Sequence, residues 1–143
     1  MNMNLRLAAW VWVCLALIPA TGCQYIADLG WEDPVTGKWE GSWYIQKMPK
    51  PGGTLKCNVE RLARNEWKAI FEAEFGQTAA YKVELLGKRE GDKVVFGGDV
   101  DLGAASGGVF TWTGEADGTK FTGKYSSKLY GGYFEMDRVA EPK

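Results

Sequence analysis

Carboxylates are the side chains that could do acid–base chemistry in this chain of 143 residues, because it contains no histidine. A Ser-His-Asp triad, a Cys-His pair and a His-bearing zinc site are therefore excluded. Asp99 and Asp101 share one face of a predicted strand, and Glu115 and Asp117 lie beyond the next strand. Two such pairs could flank a sugar as acid and base, or offer oxygens to Ca²⁺. No calcium-loop pattern surrounds them, so we interpret them as solvated residues and predict neither an enzyme nor a metal site.

Glycine pairs and net charge give no indication of a phosphate or nucleic-acid ligand. Pairs occur at 52–53, 97–98, 107–108 and 131–132, but none lies between a strand and the start of a helix. Phosphate-binding loops need that position, so these glycines are interpreted as turns and bulges. The chain has 17 basic and 18 acidic residues, a balance that predicts no nucleic-acid partner.

Aromatic residues are abundant, with seven Trp, six Tyr and six Phe. They indicate either a pocket for an apolar or ring-bearing ligand, or an interior that the rings fill completely. Under the first interpretation, the residues expected to line the pocket are Trp39, Trp67, Phe71, Phe110 and Trp112. Both interpretations remain open from the sequence.

The elements that must position these rings are short strands. From Lys38 to Val139 apolar and polar residues alternate, with turn residues at short intervals, which is typical of half-buried β-strands. We count eight such strands and no helix long enough to cover a sheet. Short sequential hairpins favour antiparallel neighbours, and eight strands close well around one buried face. The prediction is an all-β, eight-stranded antiparallel up-and-down β-barrel over residues 37–143; the alternative is a two-sheet β-sandwich.

A motif in the first predicted strand and an arginine in the last resemble a pattern of the calycin superfamily, which includes lipocalins, fatty-acid-binding proteins and avidins. Gly37 and Trp39 form a G-x-W motif at the first strand, and Arg138 lies on the apolar face of the last. In that superfamily the Trp packs beneath an Arg or Lys, and the two side chains close one end of the barrel. Where the partner is Arg, its guanidinium stacks on the indole ring. The resemblance implies a closing pair of Trp39 and Arg138 and a lipocalin-like ligand site. Alternatively, Arg138 points to water.

The segments at 39–43 (WEGSW) and 121–125 (FTGKY) also resemble uncharacterised secreted bacterial domains. That likeness implies a fold and no activity.

The first residues are typical of an export signal. Leu7 to Ala20 form a run of fourteen residues that is apolar except for Pro19, behind a single Arg6. Spanning a bilayer takes about 20 residues, so the run fits the apolar core of a signal peptide. A plain secretory signal and an uncleaved anchor are the alternatives to the lipoprotein signal described next.

Small residues immediately before Cys23 resemble the lipobox of bacterial lipoproteins. They are Ala20, Thr21 and Gly22, with Ala20 standing where that family usually has Leu. The resemblance implies cleavage after residue 22, a diacylglycerol on Cys23 and a lipidated tether at 23–36. Gln24, the residue after the cysteine, resembles the residues that in that family direct a lipoprotein to the outer membrane.

The expectation is therefore a cell-envelope lipoprotein held at a membrane by its acyl chains, in the outer membrane if the cell has one. It carries no other cofactor. Its barrel binds a small apolar ligand, or alternatively forms a solid scaffold that binds an envelope protein.

Overall fold

The computed structural model describes residues 32–75 and 79–141. The predicted signal peptide, Cys23 and most of the predicted tether lie outside these residues. Within the described ranges, the chain has no helix with the length and hydrophobicity needed to span a membrane.

Eight strands follow one another along the chain, each hydrogen-bonded to the next in antiparallel fashion, and the last pairs with the first to close a barrel. They are β1 Gly37–Ile45, β2 Pro51–Ala63, β3 Glu66–Phe75, β4 Ala79–Glu90, β5 Lys93–Asp101, β6 Val109–Ala116, β7 Lys120–Ser126 and β8 Gly131–Arg138. A short 3₁₀ helix, Ala104–Ser106, connects β5 to β6. The all-β, up-and-down barrel prediction is confirmed, and the two-sheet sandwich is not the observed architecture.

Alternation along each strand determines which residues enter the interior. Strand β6 shows it without interruption: Phe110, Trp112, Gly114 and Ala116 are buried, and the residues between them are exposed. Successive side chains of a strand point to opposite faces, so one face of every strand lines the barrel. Because the strands alternate in direction, the starts of the odd-numbered strands meet at one end of the barrel. This end is called the plugged end, because the segment before β1 covers it, as described below. The opposite end is called the cavity end.

Aromatic rings fill the half of the barrel nearer the plugged end. Phe121 lies at the centre of this cluster, with ring centroids 5.7 Å from Trp39, 5.3 Å from Phe71 and 5.0 Å from Phe96. Phe134 lies 5.4 Å from Phe71 and 5.7 Å from Phe121. All five side chains are fully buried. Edge-to-face and tilted contacts of this kind add to the free energy gained by burying the rings.

Cys57 is a core residue on the inner face of β2, as its parity with Leu55 and Val59 predicts. Burial raises the pKa of its thiol, against a smaller opposing effect of a backbone hydrogen bond. The thiol therefore stays protonated and unreactive at neutral pH.

A segment ahead of β1 plugs the barrel. Residues 33–36 are called the N-terminal plug, although the sequence placed them in the tether. Val35 is fully buried, and its carbonyl oxygen accepts a hydrogen bond from Trp39 Nε1 at 3.0 Å. The carboxylate of Asp33 accepts one from Trp67 Nε1, also at 3.0 Å. Two buried indoles are thus satisfied by the segment that covers them, which fixes the plug in place.

Two arginines fasten the plug from outside. Arg138 donates hydrogen bonds to the carbonyl oxygens of Pro34 and, at 2.7 Å, Thr36, and its Cζ lies 5.9 Å from the ring centroid of Trp39. The structure therefore places the two residues of the expected closing pair against each other. Arg61 makes a second pair of the same kind, with its Cζ 5.3 Å from the Trp67 ring centroid, and its Nη1 lies 3.9 Å from Oδ2 of Asp33 in the plug. Arg61 was not among the residues predicted to close the barrel, although it continues the parity of the buried residues of β2.

Replacing Asp33 with Asn is expected to lower the free energy of unfolding at pH 7 by about 1–2 kcal/mol, since charge-assisted hydrogen bonds are lost. Burial alone would raise the pKa of Asp33, but hydrogen bonds from Trp67, Thr36 and Val35 outweigh it and hold that pKa below its ordinary value. A lowered pKa contributes stability above the unfolded-state value of about 4, and that contribution is lost as the pH falls through the folded-state pKa.

Urea unfolding of both proteins at pH 7 and at pH 3 measures this effect. The difference between wild type and Asp33→Asn is expected to narrow at pH 3. A difference of equal size at both pH values would contradict the account. Glu72→Gln, at an exposed position of β3, serves as the control and should leave stability unchanged.

Candidate ligand-binding cavity

A cavity of about 290 Å³ occupies the half of the barrel nearer the cavity end. A cavity of about 150 Å³ holds benzene, and small-molecule sites begin at about 300 Å³, so this space suits a molecule of one or two rings. Six aromatic side chains line it together with aliphatic ones. The lining residues are Trp43, Ile45, Ala73, Tyr81, Val83, Leu102, Ala105, Ser106, Phe110, Trp112, Tyr125, Tyr130 and Gly131.

Trp43 lines the cavity because two glycines of β2 make room for its ring. A Cβ atom at Gly52 would overlap the ring and lie 2.7 Å from its Cε3 atom, and a Cβ at Gly53 would lie 2.8 Å from Nε1. Trp43 Nε1 donates a hydrogen bond to the carbonyl oxygen of Glu74 at 3.2 Å. The glycine pair at 52–53, which reads as a loop in the sequence, therefore positions an indole at the cavity wall.

The connection between β5 and β6 covers one side of the cavity. Its 3₁₀ helix lies between Gly103 and Gly107, whose φ angles of 84° and 103° fall in the left-handed region that favours glycine. The hydroxyls of Ser106 and Tyr81 are hydrogen-bonded at 2.9 Å, which joins this connection to β4. A Cβ atom at Gly107 would lie 2.8 Å from the ring of Tyr130, so the two chain segments approach closely at the rim.

Polar groups of the cavity are few and uncharged. No charged side chain of the described residues lines it. The hydroxyl of Tyr125 donates to the carbonyl oxygen of Tyr44 at 2.7 Å, and burial raises the pKa of Tyr125 to about 12. Tyr125 therefore stays neutral at physiological pH. Because an ion entering such a site would lose its hydration without gaining a partner, the cavity favours uncharged molecules.

The structure places two of the five predicted lining residues, Phe110 and Trp112, at the cavity. Trp39, Trp67 and Phe71 are fully buried outside its lining, contrary to expectation. Alternation along a strand tells which face a residue occupies but not its height along the barrel axis. Trp39 and Trp67 are near the strand ends that the plug covers, and Phe71 belongs to the packed aromatic cluster.

The interior combines the two arrangements that the sequence left open. Rings fill the half nearer the plugged end, whereas a cavity remains in the other half. A solid core without a pocket is therefore not what the described residues form.

The carboxylates singled out in the sequence serve turns and the outer surface. Asp99 accepts a hydrogen bond from a threonine hydroxyl of β6, and Glu115 pairs with a lysine of β5. Asp101 accepts one from the backbone N–H two residues later, and Asp117 caps the turn between β6 and β7. All four are exposed. Within residues 32–75 and 79–141, no group of three or more potential ligands is arranged to hold a metal ion.

No protein-family model matches this chain, and no curated protein matches its sequence. Among solved structures, a mutant of the fluorescent protein UnaG is similar, with 12% identity and a TM-score of 0.45, covering 76% of this chain and 98% of UnaG. The siderocalin Ex-FABP, which functions through dual ligand specificities, shows 15% identity and a TM-score of 0.39. That similarity covers 78% of this chain and 74% of the siderocalin. Both similarities are distant and assign no ligand to this chain.

Proposed function

We propose that this protein binds one small, uncharged, ring-bearing molecule in the cavity of its barrel. The observation that carries the proposal is the cavity of about 290 Å³, lined by six aromatic side chains and no charged one among the described residues. Protein interiors are normally packed as closely as organic crystals. A cavity at one end of the barrel, next to a packed cluster of aromatic rings, is therefore a departure from normal packing. Its apolar lining suits an apolar ligand.

Charge is expected to decide which molecules bind. Naphthalene-2-methanol and 2-naphthoate share the same rings, but at pH 7 only the second carries a charge. The alcohol should bind at least about tenfold more tightly, because the carboxylate would be desolvated without a cation to pair with. Both compounds are titrated in competition with 1-aminonaphthalene, an uncharged two-ring probe whose fluorescence shifts to shorter wavelength in apolar surroundings. Equal affinity for the two compounds would contradict a neutral site.

We also propose that the barrel is held at a membrane of the cell envelope by acyl chains on Cys23. The support is the sequence: an apolar run followed by small residues directly before this cysteine.

Cys23→Ser is expected to move the protein from the membrane fraction to the soluble fraction and to abolish incorporation of labelled palmitate. Cys14→Ser, within the predicted signal peptide, is the matched control and should leave both properties unchanged. Wild-type protein that incorporates no palmitate, or Cys23→Ser that incorporates as much palmitate as wild type, would contradict the lipoprotein proposal.

A further inference from the structure

One indole in the cavity wall has a buried donor that the protein leaves unpaired. Trp112 lines the cavity and is 5% exposed, and its Nε1 atom has no hydrogen-bond partner among the described residues. The other described tryptophans differ. The Nε1 atoms of Trp39, Trp43 and Trp67 donate to a backbone carbonyl or a carboxylate at 3.0, 3.2 and 3.0 Å. Buried donors without an acceptor are rare in folded proteins and each needs an explanation.

The surroundings of Trp112 explain why the protein supplies no acceptor. Its ring lies 5.2 Å from that of Tyr125, 5.8 Å from Phe134 and 5.9 Å from Phe71, measured between centroids. The side chains of Phe134 and Phe71 contain no oxygen or nitrogen atom that could accept a hydrogen bond. The hydroxyl of Tyr125 is already directed to a backbone carbonyl. Trp112 is also one of the residues that line the cavity, so a molecule bound there can supply an acceptor for this N–H.

We propose that Trp112 Nε1 donates a hydrogen bond to an uncharged oxygen acceptor of the bound molecule. The proposal rests on the proposed binding function and narrows its ligand class to ring-bearing compounds with a neutral carbonyl, such as aryl ketones or quinones. The second side-chain torsion of Trp is broad, so a small rotation of the ring directs its N–H toward such an oxygen. A single neutral donor does not offset the desolvation of a carboxylate, which keeps acids out of this class.

Two ligands of nearly the same shape test the assignment: 2-acetylnaphthalene, which has a carbonyl acceptor, and 2-isopropylnaphthalene, which has none. Each is titrated against 1-aminonaphthalene on wild type and on Trp112→Phe. The variant is expected to bind the ketone about tenfold more weakly, with the hydrocarbon changed by no more than about twofold. Trp43→Phe is the matched control: its indole N–H already has an acceptor, so both ligands should be affected alike.

A second readout uses the wild-type protein and does not depend on the variant folding. The indole ¹H–¹⁵N resonance of Trp112 should move downfield when 2-acetylnaphthalene binds and not when 2-isopropylnaphthalene binds. If both ligands bind, yet Trp112→Phe weakens them equally or the resonance responds to both alike, the hydrogen-bond assignment is overturned and the binding function stands. If neither ligand binds wild type, the binding function itself is overturned, and the assignment with it.

Discussion

Ala73→Phe is expected to abolish the binding of two-ring ligands, lowering affinity for 2-acetylnaphthalene at least about tenfold. Ala73 lies on β3 and lines the cavity. A benzene molecule needs a cavity of about 150 Å³, so one added phenyl ring takes up roughly half of the available space. The free energy of unfolding should stay the same or rise, because filling a cavity restores packing contacts.

Ile70→Phe provides the matched control on the same strand. Ile70 is an odd number of residues from Ala73 and therefore faces the outside of the barrel. The same phenyl ring placed there should leave binding unchanged. Direct calorimetric titration with 2-acetylnaphthalene and urea unfolding of both variants separate the effect on binding from the effect on stability. Retained affinity in a folded Ala73→Phe protein would mean that the ligand binds somewhere other than this cavity.

Gly41→Ala is expected to lower the free energy of unfolding by at least about 3 kcal/mol. Gly41 lies on β1 opposite Met136 of β8, at the seam where the last strand closes the barrel. A methyl group at Gly41 would overlap the carbonyl oxygen of Glu135 and lie 2.6 Å from the Cα atom of Met136. These are backbone atoms, so relief requires β1 and β8 to separate. Such a separation would break the hydrogen bonds that close the barrel.

Gly97→Ala is the matched control, because it makes the same change within a strand where space is available. The nearest atom to a Cβ at Gly97 is the carbonyl oxygen of Trp112, at an ordinary contact distance of 3.6 Å. This variant should be neutral or more stable by up to about 1 kcal/mol, since alanine restricts the unfolded chain. Urea unfolding of both variants measures the difference. Equal changes in the free energy of unfolding for Gly41→Ala and Gly97→Ala would contradict close packing of β1 against β8 at Gly41.

The fold was predictable because the alternation along the strands records it directly. In β6, for example, Phe110 and Trp112 alternate with exposed residues over the whole strand. Barrel closure could be anticipated from the first and last strands, where Trp39 and Arg138 occupy positions that now lie opposite each other.

The division of the interior was not predictable in the same way. A period of two assigns Phe71 and Phe110 to the same face of the sheet, and says nothing of their height in the barrel. Whether rings meet or leave a space depends on how eight strands tilt and curve together. Trp43 shows the difficulty, because its place at the cavity wall depends on glycines at 52–53 of the neighbouring strand.

The N-terminal plug was missed for a related reason. Residues 33–36 have no hydrophobic period, and their partners are far away in the sequence. Asp33 accepts a hydrogen bond from Trp67, 34 residues later, and Pro34 from Arg138, 104 residues later. Local sequence patterns carry no information on contacts of this range. The sequence does contain one indication of this end of the barrel: Arg61 and Arg138 each continue the alternation of the buried residues of their strands. Only Arg138 was predicted to help close the barrel.

A crystal structure of the protein equilibrated with 2-acetylnaphthalene tests the central claim most directly. We expect density for one two-ring molecule between Trp43, Phe110 and Trp112, with its carbonyl oxygen within hydrogen-bond distance of Trp112 Nε1. Density for the compound only on the outer surface of the barrel, or a cavity that stays empty at a saturating concentration, would contradict the account.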